Sequence, residues 1–421
     1  MSTEKKHIPP LRFPAFLQDG EWEDLKLGDC LLQTPDYGLN APAVPYSETL
    51  PTYLRITDIT DSGKFDKSHL TSVNAELTPE NSLQEGDLVV ARTGASVGKV
   101  YKYRKEDGLL VFAGFLIRLR PNPNKCNSEY LFQYMLSPSY KRWVNFTSTR
   151  SGQPGINSTE YASLPVPFPQ ELSEQQKIAE CLSSIDSYIS SINEKVEQLK
   201  AHKKSLMQKL FPQNGKTVPE YRFPEFVDNG EWEIVKLREI AIRVKNKNKF
   251  NEQLPVLTNS ATEGIVNQQD YFDREIVTRD NLSNYFIVKI DDFVYNPRIS
   301  SLAPVGPISR NKIERGIISP LYTIFRFCKG CIDYFDYYFR TNCWHQYLRS
   351  IANFGARFDR MNITNEEFMN MPIPFPSVAE QQKIAECLSS IDKTIGSFLE
   401  KESQIEIYKK GLMQQLFPVK K

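Results

Sequence analysis

In two stretches of the chain, apolar residues recur at alternating steps of four and three. The first runs Ile178, Leu182, Ile185, Ile189, Ile192, Val196 and Leu199, then Lys203, Leu206 and Leu210. The second runs Ile384, Leu388, Ile391, Ile395, Phe398, then Glu402, Ile405, Lys409, Leu412 and Leu416. A 3.5-residue period held over more than four heptads predicts a coiled-coil seam. At 1.5 Å per residue each helix is about 60 Å long. Ser173 with Gln176, and Ser377 with Glu380, have the spacing of capping boxes. The proline-rich stretches before them, 164–169 (LPVPFP) and 371–376 (MPIPFP), predict extended chain. Phe211-Pro212 and Phe417-Pro418 predict the stops. The seam lysines Lys203 and Lys409 hold equivalent places, so a parallel in-register pair would set like charge on like charge. Antiparallel pairing puts each opposite an apolar position, free to snorkel. The alternative is that each helix packs along its own globule.

The two stretches are also copies. Residues 174–186 and 380–392 both read EQQKIAECLSSID, and the windows 172–212 and 378–418 share 26 identities at a constant offset of 206. A period this long marks two copies of a whole module, not a solenoid. A second shared block opens each globule: 12–27 (RFPAFLQDGEWEDLKL) and 222–237 (RFPEFVDNGEWEIVKL). The chain thus reads as globule 1–169, helix 170–212, globule 213–376 and helix 377–421.

Between the shared blocks the globules diverge and look β-rich and mixed. Strands are predicted at 53–59, 87–91, 99–103, 109–119, 286–289, 293–296 and 322–327, with an aromatic helix at 129–135 and another at 333–339. Faint equivalence matches 85–90 (EGDLVV) with 289–294 (KIDDFV). Each is followed by a loop of small polar and basic residues, 92–99 (RTGASVGK) and 298–310 (RISSLAPVGPISR). A second loop precedes each proline segment, 149–157 (TRSGQPGIN) and 355–362 (GARFDRMN). A scaffold that is held while its loops change suits recognition of two different targets.

Composition narrows the class. Apolar content of 40% with 24% charge fits a soluble globular protein. The longest apolar run, 109–117, is too short for a membrane span, and the start, MSTEKKHIPP, lacks a secretion signal's apolar core. Seven cysteines, an odd number, suggest reduced thiols and a cytoplasmic protein. Net charge of +1 supplies no global basic field, so any nucleic-acid contact must be local.

Catalytic signatures are mostly missing. Residues 94–99 (GASVGK) fall one residue short of a phosphate loop, and Val100 stands where a magnesium-binding hydroxyl belongs. A turn with a lysine is the better reading, with room for a phosphate contact through Lys99. Cys328, Cys331, Cys343 and His345 could supply zinc ligands, but at irregular spacing. Cys181 and Cys387 read as small buried hydrophobes beside the seam. HExxH, GxSxG and GxGxxG do not occur, and Asn296-Pro297-Arg298 fails the Asn-Pro-Pro-aromatic pattern of adenine methyltransferases. No catalytic residue, metal ligand or cofactor site is assigned.

Basic and aromatic residues interleave at 101–104 (YKYR) and 141–143 (KRW). Arginine can read guanine bidentately, and Asn or Gln can read adenine. The candidate DNA-binding residues are Arg55, Arg92, Thr93, Ser96, Lys99, Arg150, Gln153 and Asn157 in the first globule. In the second they are Arg298, Ser300, Ser301, Arg310, Arg357, Arg360 and Asn362. Taken singly, each is as well explained as a solvated surface group.

The paired EQQKIAECLSSID helices, the LMQKLFP and LMQQLFP endings, the PVPFP and PIPFP lead-ins and the RFP…GEWE openings resemble the specificity subunit of type I restriction–modification systems. The resemblance implies an α+β fold: two β-rich mixed target recognition domains in pseudo-twofold arrangement, separated by two helices forming an antiparallel coiled coil. It implies a non-catalytic chain that reads a split, asymmetric site on double-stranded DNA, one half per domain. The coil would fix the spacing, one DNA turn being about 34–36 Å, and dock two methyltransferase subunits. S-adenosylmethionine, ATP and magnesium would be used by partners, the methyltransferase and the restriction (motor-nuclease) subunits. Two other readings compete. An enzyme with an unrecognised centre predicts cofactor or metal binding by the isolated chain. A scaffold that merely joins proteins predicts no sequence-selective DNA contact.

Overall fold

The computed structural model describes residues 8–76, 78–149, 152–213, 215–271, 279–352 and 359–418. The chain divides into two units, 1–193 with 399–421, and 194–398. Each long helix, Leu172–Leu210 and Val378–Leu416, contributes its first half to one unit and its second half to the other. Each unit therefore contains one globule and a pair of half-helices.

The shared sequence blocks meet in a collar at the base of each globule. In the first unit, strand Glu23–Lys26 pairs antiparallel with Pro165–Phe168. In the second, Glu233–Lys236 pairs with Pro372–Phe375. The proline segments are extended, as predicted, and form short two-stranded ribbons where the missing N–H groups are tolerated. Arg12 Nε and Nη2 donate to the two Glu174 carboxylate oxygens at 2.7 and 2.6 Å, and Arg222 grips Glu380 the same way at 2.7 and 2.8 Å. These buried fork-on-carboxylate pairs join the first residue of RFP to the first of EQQKIAECLSSID. They also explain why both blocks recur.

The predicted capping is half right. Glu380 N–H donates to Ser377 Oγ, but the Glu380 carboxylate is spent on Arg222 and Trp232, so no reciprocal box closes. The first helix starts at Leu172, two residues before the predicted box begins to act. The backbone turn there is closed by Glu171, the residue that corresponds to Ser377.

In each unit the half-helices run antiparallel. In the first, Lys409 Nζ donates to both Asp186 oxygens at 2.6 and 2.7 Å, and Ile178 and Leu182 share a core with Met413, Leu416 and Phe417. In the second, Lys203 Nζ donates to both Asp392 oxygens at 2.5 and 2.7 Å, and Leu210 and Phe211 share a core with Ile384 and Leu388. The direction matches the expectation; the snorkelling does not. Each seam lysine meets the aspartate that ends the other helix's thirteen-residue motif. That carboxylate is held in turn by Gln133 in one unit and by Tyr337 in the other, both at 2.8 Å. The alternative that each helix packs on its own globule is also half right, because its first half does so. Each second half ends in a phenylalanine seated among tyrosines: Phe417 on Tyr130 and Tyr134, Phe211 on Tyr334 and Tyr338. Truncating such a buried ring costs about 3–5 kcal/mol.

Among the described residues, each globule holds two four-stranded sheets besides its ribbon. One sheet is equivalent in both: Asp36–Tyr37, Leu116–Leu119, Leu88–Ala91 and Val100–Lys102 in the first, and Ala241–Val244, Thr323–Phe327, Phe293–Tyr295 and Ile308–Arg310 in the second. The other shares three strands, including a parallel pair, Thr52–Leu54 with Leu110–Phe112 and Val256–Ser260 with Gly316–Ile318. The fourth strand is added at opposite edges: Ala43–Pro45 beside Thr71–Val73, but Phe286–Val288 beside Gly316–Ile318. The predicted strand 109–119 is two strands, broken by a turn at Ala113, Gly114 and Phe115. The predicted aromatic helices stand at Ser128–Met135 and Ile332–Tyr338; the helices after them, Pro138–Ser148 and His345–Ile351, were not foreseen.

Candidate nucleic-acid interface

In each globule the first variable loop leaves a sheet strand, Leu88–Ala91 or Phe293–Tyr295, the second follows a helix, Pro138–Ser148 or His345–Ile351, and backbone hydrogen bonds stitch the two together. In the first globule, Ile156 N–H donates to Arg92 O at 2.9 Å and Gly94 N–H to Pro154 O at 3.0 Å, with Thr93 and Gly155 forming an antiparallel bridge between them. In the second, Met361 N–H donates to Pro297 O at 2.9 Å and Ile299 N–H to Asp359 O at 3.0 Å, flanking an Arg298–Arg360 bridge. The same backbone clasp is built twice from different residues.

This clasp corrects the sequence register by one. Asp87 accepts from Gln84 N–H and the Arg120 guanidinium, as Asp292 does from Lys289 N–H and Arg326. Gly86 and Asp291 both have positive φ. Asp87 therefore corresponds to Asp292, not Asp291, and Arg92 corresponds to Pro297, not Asn296. The structural counterparts of Arg298 and Arg360 are Thr93 and Gly155.

The clasp of the first globule is pinned from below. Tyr161 donates its hydroxyl to Ala91 O at 2.9 Å and Tyr140 to Gly98 O at 3.0 Å. Burial pushes both phenols well above their ordinary range, so they remain donors. Gly98 lies at φ +85°, and a Cβ there would come within 2.6 Å of Val144. In the second globule the longer loop closes on itself through Ser300, Ala303 and Gly306, and Asn296 Nδ2 ties its root to Asn259 O at 3.0 Å.

The candidate residues separate on this geometry. Arg92, Thr93, Ser96, Gln153 and Asn157 are gathered in one clasp, and Arg298, Ser300, Ser301, Arg360 and Asn362 lie on the other. The Arg92 guanidinium sits 4.8 Å over the Tyr37 ring. Asn157 caps helix Ser158–Ala162 through its side-chain oxygen. Thr364 does that work in the other globule, leaving Asn362 exposed and without a capping role. Three basic candidates are tied to carboxylates of the chain itself. Arg55 folds onto Asp58 at 2.7 Å, Lys99 reaches Asp61 at 2.8 Å, and Arg310 is held by Asp291 and Asp333. Arg150 and Arg357 lie outside the described residues.

Other motifs resolve into framework. The aromatics of YKYR are core: Tyr101 and Tyr103 are buried and donate to Asp107 and Gly108 O. Residues 94–99 form a 3-10 turn between two strands, with no helix behind it to complete a phosphate loop. Among the described residues no group of three or more His, Cys, Asp or Glu is placed to hold a metal ion. Nor is any described helix long and apolar enough to cross a membrane. Sequence reasoning missed Phe115 and Phe146, exposed at 60% and 86%, and Leu302 at 71%. Phe115 and Leu302 stand beside Gly114 and Ser301, which was the available signal; Phe146 lies within helix Pro138–Ser148 and had none.

Comparisons agree with this architecture. Residues 41–201 and 229–407 match the family model described as the type I restriction modification DNA specificity domain. The chain is similar to a candidate type I restriction enzyme specificity subunit, MjaX, of Methanocaldococcus jannaschii: 29% identical over 94% of this chain and 92% of that one. It is 26% identical to the type I restriction enzyme MjaVIII specificity subunit of the same organism, over 98% of this chain and 94% of that one. The crystal structure of a type I restriction–modification S subunit from M. genitalium shares the fold, with a TM-score of 0.55, 13% identity and coverage of 98% of this chain and 100% of that one. The doubled frame and the family match together place this chain in the type I restriction–modification specificity family, as the non-catalytic specificity subunit of such a system.

Proposed function

We propose that this subunit reads a bipartite, asymmetric site on double-stranded DNA in the cytoplasm, each recognition domain taking one half through its loop clasp. The observation that carries this reading is the clasp itself. One set of backbone hydrogen bonds recurs at equivalent places and presents Thr93 and Gly155 in one domain, Arg298 and Arg360 in the other. Different residues on one frame mean different half-sites. The helices, about 60 Å long at 1.5 Å per residue, act as the ruler between them. Two methyltransferase subunits dock on the helix surface, where Tyr188, Leu399, Ile407 and Tyr408 are exposed. These partners and the restriction subunits use S-adenosylmethionine, ATP and magnesium; this chain binds none of the three. The test is selection of bound duplexes from a randomised library by the chain co-purified with its methyltransferase. Two different half-sites at one fixed spacing are expected. No enrichment by an intact complex would overturn the reading in favour of a scaffold.

A further inference from the structure

Arg298 and Arg360 stand directly opposite each other in an antiparallel bridge, so their side chains leave the same face. Like charges in that position repel. Among the described residues, the only carboxylate within 4.0 Å of either guanidinium is Asp359, 3.8 Å from both and beyond hydrogen-bond range. No hydrogen bond from either guanidinium occurs among the described residues. Four arginines elsewhere in this globule, Arg310, Arg315, Arg326 and Arg340, each donate to a carboxylate at 2.5–2.8 Å, whereas Arg238, Arg243 and Arg349 share the lack of one among the described residues but do not sit on the clasp. The backbone under the pair is nonetheless fixed. Arg298 N–H donates to Asn296 Oδ1 at 3.0 Å, and the clasp hydrogen bonds flank the bridge on both sides. Two guanidinium forks are thus held side by side on a fixed frame with side chains 67% and 32% exposed, so their donors face solvent and are open to an incoming acceptor.

We propose that Arg298 and Arg360 are the specificity determinants of the second recognition domain and that they read guanine. Guanine presents two acceptors, O6 and N7, side by side in the major groove, and a planar fork matches them bidentately. The first domain has Thr93 and Gly155 at these positions and cannot make this contact. Guanine recognition here is therefore a property of one half-site. This rests on the functional reading above.

The test repeats the duplex selection with the complex carrying Arg298→Gln, Arg360→Gln or Arg298→Lys. The wild type is expected to select two G·C pairs, one for each fork, and each Gln variant to relax its own by about 5- to 150-fold, the discrimination of one bidentate pair. The other half-site and the spacing stay unchanged. Arg298→Lys keeps the charge but loses the fork, so it relaxes the same base. Both side chains are solvent-facing, and unchanged thermal melts confirm that the variants fold. Uniformly weaker binding with every base preference intact, and a salt slope reduced by about one, would make these phosphate contacts and overturn the proposal. So would a relaxed position that is not G·C. Failure of the wild type to select any motif would instead sink the functional reading itself.

Discussion

The collar and the clasp are each built twice, but they repeat in different ways. In the collar the side chains recur: Arg12 and Arg222 grip Glu174 and Glu380 with the same atoms, and Phe417 and Phe211 fill the same tyrosine nest. In the clasp only backbone hydrogen bonds recur, while Thr93 and Gly155 give way to Arg298 and Arg360. A frame held by main-chain atoms leaves its side chains free to change. A joint held by buried charge does not, because removing one partner strands the other.

The largest effect should come from breaking the collar. Arg222→Ala leaves the buried Glu380 carboxylate without its fork, and chemical denaturation should show a loss of about 3–5 kcal/mol. Tyr161→Phe tests the floor of the clasp. It removes one hydroxyl from a carbonyl that still accepts from Gly98 N–H, so stability should fall by only about 1 kcal/mol. Because Tyr161 contacts only backbone there, the selected bases should not change.

The helix seam lies between these extremes in burial but below them in energy. Burial pushes the Asp392 carboxyl up, but hydrogen bonds from Lys203 and Tyr337 outweigh it and hold it below its ordinary value. Its folded pKa is thus depressed, so its contribution is present above the unfolded carboxylate range near ~4 and is lost as pH falls through the folded value. Asp392→Asn should lose under about 1 kcal/mol at neutral pH, since the pair is partly exposed. The gap between variant and wild type should close on acid titration. The smallest effect is expected for Lys99→Ala. Its ammonium is already paired with Asp61, so the base preference of the bound site should not move.

Much of the frame was legible in the sequence. Thirty-nine-residue helices announce themselves by period, and the seam lysines gave the direction of pairing. Their aspartate partners are not legible in the sequence, because Asp186 and Asp392 close a repeated motif in which nothing marks them as members of an ion pair. Strands of three or four residues were found where Val, Ile and Phe cluster, as at Leu88–Ala91 and Phe293–Tyr295, and missed where they do not, as at Thr71–Val73. The loop candidates were harder. Asn157 and Arg55 have the right chemistry to read a base, but the same chemistry serves a helix cap and a fold onto Asp58. Local sequence does not separate the two uses. The one-residue misregister between the globules arose because Asp291 and Asp292 are adjacent, and the contacts of Asp292 with Arg326 and with Lys289 N–H tell which is Asp87's counterpart.

The central claim is that each globule carries its own half-site on a common frame. The direct test replaces residues 222–376 with residues 12–169, joining within the shared blocks so that both collar ion pairs survive, and repeats the duplex selection. The account predicts a site made of two copies of one half-site, with the second domain's half gone. Retention of the original asymmetric site would contradict it.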